Sequence, residues 1–436
     1  MSSNNRIREK LSIASATLLQ AGAVTAAEAP DNAWDISTAV LYYQENDGRV
    51  SAIEPVISGS REFEDGEKIN LKLVLDSLTG ATPTGAHASG ITQTFTNPSG
   101  NKSFTVAPGE TPLDDTFLDT RVAVSGSWET PVFDNYSRMI LGGNISKEFD
   151  YMSLGVSANF LRDFNNRNTT FSTAVGFNAD SIEPSGGIPT PFANMRVAGS
   201  GTNRDGTDDD KTIADIMFGV TQVINRRTIM QFNLGFSESS GYMNDPYKII
   251  TVIDAGGLPT TATPTADDLP YVYENRPDSR SRQTFFWKTV HHLTEDVINV
   301  SYRYHTDDWG IDSHTIDFHY RYELGDGSYL QPHLRYYTQS EADFFVTSLS
   351  EAEAAASTTS DYASADYRLG KFETSTYGLK YAMPIGKTSE FSVRAEIINQ
   401  KQSDVGTPVG DQASHDLTPD LDSFIIQFGY DFYFGG

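Results

Sequence analysis

Residues 423–434 read SFIIQFGYDFYF, with Phe424, Ile426, Phe428, Tyr430, Phe432 and Phe434 at every second position. Ser423, Gln427, Gly429 and Asp431 fill the places between, and only Ile425 and Tyr433 break the alternation. Period two means a strand with one greasy and one mostly polar face. Nowhere past the first 30 residues does the chain hold the ~20 consecutive apolar residues that a spanning helix requires. With 38% hydrophobic residues, 21 Tyr and 25 Phe, it is too polar for a helical membrane protein and too aromatic for a disordered one. Strands with an apolar outer face can cross a bilayer only when closed, because an open sheet leaves a row of backbone groups unpaired in hydrocarbon.

The run Gln427, Gly429, Phe432, Phe434 resembles the terminal signal of bacterial outer-membrane β-barrels, which the barrel-assembly machinery reads as the closing strand. Gly435 and Gly436 depart from it by following the final aromatic. At the other end, Arg6, Arg8 and Lys10 precede a mildly apolar stretch, 11–24, and the small residues Thr25, Ala26, Ala27 and Ala29. That layout predicts a signal peptide over 1–29, cleaved near 27–29, and a single barrel domain over 30–436. The expected address is the outer membrane of a Gram-negative bacterium, with its lipid and lipopolysaccharide as surroundings. A net charge of −26 argues against nucleic acid as a partner, and the absence of cysteine removes disulfides and thiolate chemistry.

Period-two segments fall near 35–46, 49–58, 67–77, 117–129, 136–147, 150–162, 168–178, 212–224, 227–238, 281–293, 296–306, 313–324, 328–341, 371–383, 389–401 and 421–434. The fold expected is therefore all-β, a closed antiparallel transmembrane barrel of about 16 strands, with 14 or 18 as alternatives. Connection length tests the parse. Every long connection (78–116, 179–211, 239–280, 342–370 and 402–420) falls at one end, and the opposite end carries brief turns rich in Asp, Asn, Gly and Pro. An accidental parse would scatter long loops over both ends.

Six of the eight histidines lie between His291 and His333. Alternation turns Arg303 and His305 of the eleventh strand inward, with Asp317, His319, Arg321 and Glu323 of the twelfth and Gln331, His333, Arg335 and Tyr337 of the thirteenth. The turn Gly325-Asp326-Gly327 sets the register: His319 opposite His333, Asp317 opposite Arg335, Arg321 opposite Gln331. The expected result is a lumenal patch of two imidazoles, an Asp317–Arg335 pair and further guanidinium groups, joined by Lys380, Arg394 and Glu396 from later strands. Such a belt selects by charge, for anionic or zwitterionic solutes. The plainer alternative is a wall ladder of salt bridges that keeps the lumen hydrated.

No cofactor is certain from the sequence. A divalent cation is a candidate at His319 and His333, helped by His305 and Asp317, since imidazole suits Zn and Cu. A second candidate is the acidic loop with Asp205, Asp208 and Asp210 around Gly206, which lacks the terminal Glu of a helical calcium loop. The hairpin HTDDWGIDSHT (305–315) reads as a turn whose Asp side chains bond its own backbone. Tyr242, Asp245, Arg276 and Arg280, at the ends of the loop 239–280, are expected to fold into the mouth and narrow it; if only these ends matter, deletion of 250–268 should leave the constriction intact. Neither G-x-S-x-G nor H-E-x-x-H occurs, and an enzyme is not expected.

The blocks GYMNDPYK (241–248), ENRPDSRSRQ (274–283), YRYHTDDWGIDSHT (302–315) and RYYTQSEADFF (335–345) resemble a family of bacterial outer-membrane barrels known only as a domain of unknown function. Its members tend to be encoded near a thioredoxin-like protein and a flavin transferase, which implies a link to periplasmic redox or metal handling. Two readings follow: a porin-like pore or solute-binding channel, and a non-conducting scaffold for a periplasmic redox or lipoprotein partner. An outer-membrane hydrolase is a third, for which no catalytic set stands out.

Overall fold

The computed structural model describes residues 32–97, 100–261, 265–359, 361–403 and 406–435; the expected leader, 1–29, lies outside them. Sixteen strands close into one antiparallel barrel: β1 (Trp34–Glu45), β2 (Ser51–Glu62), β3 (Lys68–Pro83), β4 (Leu113–Val132), β5 (Asp134–Lys147), β6 (Tyr151–Phe164), β7 (Thr169–Ile182) and β8 (Asp209–Asn225) form one half. The other half is β9 (Thr228–Gly241), β10 (Ser279–His292), β11 (Val297–Asp307), β12 (Asp312–Glu323), β13 (Tyr329–Gln339), β14 (Phe372–Ile385), β15 (Ser389–Gln402) and β16 (Leu421–Phe434). Each strand pairs with its sequence neighbour among these sixteen, and β16 pairs with β1 from Trp34↔Phe434 to Glu45↔Ser423. The aromatic strand 423–434 is thus one edge of the seam that closes the barrel.

The alternation expected from the sequence sets the two faces. Val156 is 64% exposed, Ile316 51% and Leu334 48%, while the neighbours Ser153, Ser313 and His333 are buried. An apolar side chain left in water forgoes about 1.5–3 kcal/mol of burial. A belt of them on strand after strand belongs in hydrocarbon, so the chain is an outer-membrane β-barrel, with the brief turns at one rim and the long loops at the outer one. Among the described residues no helix is long and apolar enough to span. β3, β4 and β8 run further toward the outer rim than alternation alone indicated, because the last residues of β3 and the first of β4 and β8 pair beyond the apolar belt.

The long loops are not loose. Asn194–Arg196 from the β7–β8 loop, Asp268–Tyr273 and Ile249–Ile253 from the β9–β10 loop, and Ser348–Ser350 from the β13–β14 loop make one four-stranded sheet. Its core is dry: Ile250, Val252, Val272 and Tyr271 are essentially inaccessible, and Phe95 from the β3–β4 loop stacks on Tyr271 at 4.5 Å. The β15–β16 loop joins through Asp411, whose backbone N–H donates to Gly256 O (2.8 Å) and whose carboxylate accepts from Gly90 N (2.7 Å). Gly85 follows the left-handed backbone (φ +99°) and lies against the Ile249 carbonyl, where a Cβ would sit 2.4 Å from the oxygen. Helix α1 (Glu351–Ala356) begins in a capping box between Ser350 and Glu353. The five loops rise from positions spread around the ring and meet in one hydrogen-bonded unit, so together they cap the outer mouth.

Candidate lumenal site

Register places the inward residues of β10 to β16 in rows. One row runs Lys288, Ser301, Asp317, Arg335, Thr376; the next runs Asn299, His319, His333, Gly378, Glu396; the third holds Gln331, Lys380, Arg394 and Gln427. His319 faces His333, and Asp317 faces Arg335, as the Gly325-Asp326-Gly327 turn required. The two imidazoles stack with ring centroids 4.1 Å apart and planes 7° from parallel.

One expected pair is absent. Asp317 spends its oxygens on the imidazoles, Oδ1 lying 2.8 Å from His319 Nε2 and Oδ2 3.1 Å from His333 Nε2, and forms no ion pair with Arg335. Facing positions fix which backbones are opposite; the short Asp side chain reaches along its own strand to His319 instead. The other nitrogen of His333 meets Glu396 Oε1 at 2.9 Å, although β14 lies between their strands. Gly378 makes that reach feasible, since a Cβ there would stand 2.9 Å from Glu396 Cγ and 3.0 Å from Oε1. Arg394 lies 3.4 Å from the same Glu396 and hydrogen-bonds Gln427. A cavity of about 160 Å3 opens beside His319, His333, Lys380, Arg394 and Glu396.

The remaining expected members disperse. His305 is buried near the outer rim, 3.4 Å from Asp307, apart from the stacked pair. Arg321 is held by Glu323 (2.5 Å) and lies over the Tyr329 ring at 3.7 Å. Lys380 is 3.8 Å from Glu390. Arg303 and Arg335 point inward with no carboxylate within 4.0 Å among the described residues, and Lys288 of β10, which the sequence reading missed, joins them in the same condition. Its inward parity, shared with Arg282, was the available signal.

The loop residues proposed as a constriction are mostly occupied by one another. Arg276 donates to Glu274 (2.9 Å) and Asp366 (2.8 Å), and Arg368 donates to Asp245 (2.7 Å). Asp245, Glu274, Arg276 and Asp366 are all buried. Burial pushes Glu274 up and Lys248 down from their ordinary values. Burial also pushes Asp366 up, but Arg368 and Arg276 outweigh it and hold that carboxyl well below the usual range. Arg280 pairs with Asp307 and covers the ring of buried Trp309 at 4.4 Å. Tyr242 is buried. Asp245, Arg276 and Arg280 are engaged in ion pairs at the base of the cap, and Ile250 and Val252, within 250–268, belong to its core.

Asp307 accepts from Trp309 N (3.1 Å) and Ile311 N (3.0 Å), the self-bonded turn foreseen for 305–315. The acidic loop does not assemble: Asp205 accepts from Thr190 and Asp208 from Thr207, and Asp210 begins within β8. Among the described residues, Asp317, His319 and His333 are the group close enough to share an ion. His314 is outward and bonds Tyr302 (2.8 Å) while Ser313 is buried inward, so that pair builds no hydrolase centre.

No curated protein matches the sequence. Solved structures of similar fold include Pseudomonas aeruginosa OprD, 9% identical over 94% of this chain and 98% of that one, with a TM-score of 0.39. The outer membrane protein OpdK from Pseudomonas aeruginosa is 8% identical over 93% and 99%, with a TM-score of 0.37. The siderophore receptor PirA from Acinetobacter baumannii is 9% identical over 92% of this chain and 60% of its own, with a TM-score of 0.42. A profile described as a protein of unknown function, DUF3570, matches residues 8–432, and the chain belongs to that family.

Proposed function

We propose that this barrel is a capped channel for a small anionic or zwitterionic solute. One observation carries the reading: Lys288 of β10, Arg303 of β11 and Arg335 of β13 are turned inward, with no carboxylate within 4.0 Å among the described residues. Cations in a wall need compensation, and where the protein withholds it a passing anion supplies it. A barrel of 16 strands is too wide for side chains alone to fill, which leaves water and solute a path. The solute enters when the outer cap loosens.

Single-channel recording tests this. The barrel reconstituted in planar bilayers under a salt gradient should prefer anions, and the triple variant Lys288→Gln, Arg303→Gln, Arg335→Gln should shift the reversal potential toward cation preference. An unchanged reversal potential overturns the assignment. The second reading, a non-conducting scaffold for a periplasmic redox or lipoprotein partner, draws on the cap, which covers the outer mouth and leaves the opposite rim as the open one. Silence in bilayers, together with a lipoprotein that co-purifies, would favour it.

A further inference from the structure

We infer that Asp317, His319 and His333 form a binding site for a divalent transition metal, with one coordination position open to the lumenal cavity. The inference is independent of whether the barrel conducts. Its basis is the direction of the ring nitrogens. Both Nε2 atoms converge on the Asp317 carboxylate, at 2.8 and 3.1 Å, and one ligand atom from each of the three residues lies within 4.8 Å of the others. Both Nδ1 atoms are engaged from the opposite side, His333 by Glu396 at 2.9 Å and His319 by the Gln331 amide at 3.3 Å. Without an ion each Nε2–H donates to Asp317; an incoming cation replaces those hydrogens, and a carboxylate or amide oxygen that accepts from Nδ1–H then keeps Nε2 as the ligand atom, which is how metal-binding imidazoles are oriented. Glu396 stands in that place for His333, while Gln331 presents its amide nitrogen to His319 and serves likewise once the amide turns over to offer its oxygen.

The donor set matches the chemistry. Two imidazoles and one carboxylate suit Zn2+ or Cu2+ rather than Mg2+ or Ca2+, which favour oxygen ligands. A modest tilt of the stacked rings closes the nitrogens onto a common ion. Three protein ligands leave a fourth position, and the cavity of about 160 Å3 beside it carries Lys380 and Arg394. A metal-bound anion from the lumen would meet both cations there. Gly378 is a positioning residue for the site, because only its missing side chain lets Glu396 reach His333 across β14.

Metal binding to the folded barrel in detergent tests this, with Zn2+ titrated calorimetrically and Co2+ as the spectroscopic probe. The full chain should bind one ion and give the intense visible bands of low-coordinate Co2+. His319→Ala should abolish them, and His291→Ala, at the periplasmic end of β10, should leave them unchanged. Glu396→Gln and Gly378→Ala should each weaken Zn2+ by about 10–100-fold while keeping the stoichiometry. Heat-modifiable electrophoretic mobility confirms that each variant remains a barrel. Equal binding by the folded chain and by folded His319→Ala, or no binding by the folded chain, overturns the site.

Discussion

The molecule holds two concentrations of charge that differ in one respect. Under the cap, Asp245, Glu274, Arg276 and Asp366 are buried, and with the partly exposed Arg368 they satisfy one another across the β9–β10 and β13–β14 loops. On the lumenal wall, Asp317 and His319 keep about a fifth to a quarter of their side chains accessible, and Lys288, Arg303 and Arg335 keep no anionic partner among the described residues. The first set is closed on itself and works as a clasp. The second retains unused valence toward water, which is what a solute or an ion can exploit. Charge density alone therefore marks neither function nor structure; completeness of pairing separates them.

The largest effect should come from breaking the closed set. Arg276→Ala strands Glu274 in a dry environment, leaves Asp366 with Arg368 alone, and should cost the cap about 3–5 kcal/mol. Limited proteolysis between residues 242 and 278 should accelerate while the barrel keeps its heat-modifiable mobility. If the capped-channel reading holds, conductance should rise in the same variant. An unaltered cleavage rate would mean that the clasp is not what holds the loops.

Acid should act on the same set more gently. Because Asp366 is held below its unfolded value, near 3.9, its contribution is complete above that pH and is withdrawn as pH falls further. Glu274, raised by burial, contributes with the opposite sign and partly offsets it. Hydrogen exchange of residues 249–253 should therefore begin to quicken below about pH 4, and Asp366→Asn should flatten that dependence. The smallest effect is expected on the wall. In the presence of a chelator, His319→Ala should change unfolding by less than about 1 kcal/mol, since its ion pair is partly solvated. A loss comparable to that of Arg276→Ala would erase the contrast between the two sets.

Much of this was legible beforehand, for a definite reason. All sixteen strands, the rim that carries the long loops and the His319–His333 register follow from a period of two, which a single-residue slip would violate on every strand at once. The cap was not legible. Its strands are two to six residues long, too short for periodicity, and they pair across three separate loops. Asp317 was given to Arg335 because facing positions seemed to decide the pair, whereas the side chain turned along its own strand. The role of Gly378 was hidden for a different cause: its effect lies in what it lets His333 and Glu396 do over its head.

The seam between β1 and β16 has a further consequence. Its two edges come from opposite ends of the polypeptide, Trp34 against Phe434, so hydrogen bonding around the ring stays interrupted until the final segment arrives. A product cut short by even that one segment would present two naked borders to lipid, where backbone groups find no substitute partner. Synthesis through β16 is thereby a physical condition for residence in the bilayer, a built-in inspection of the closing strand.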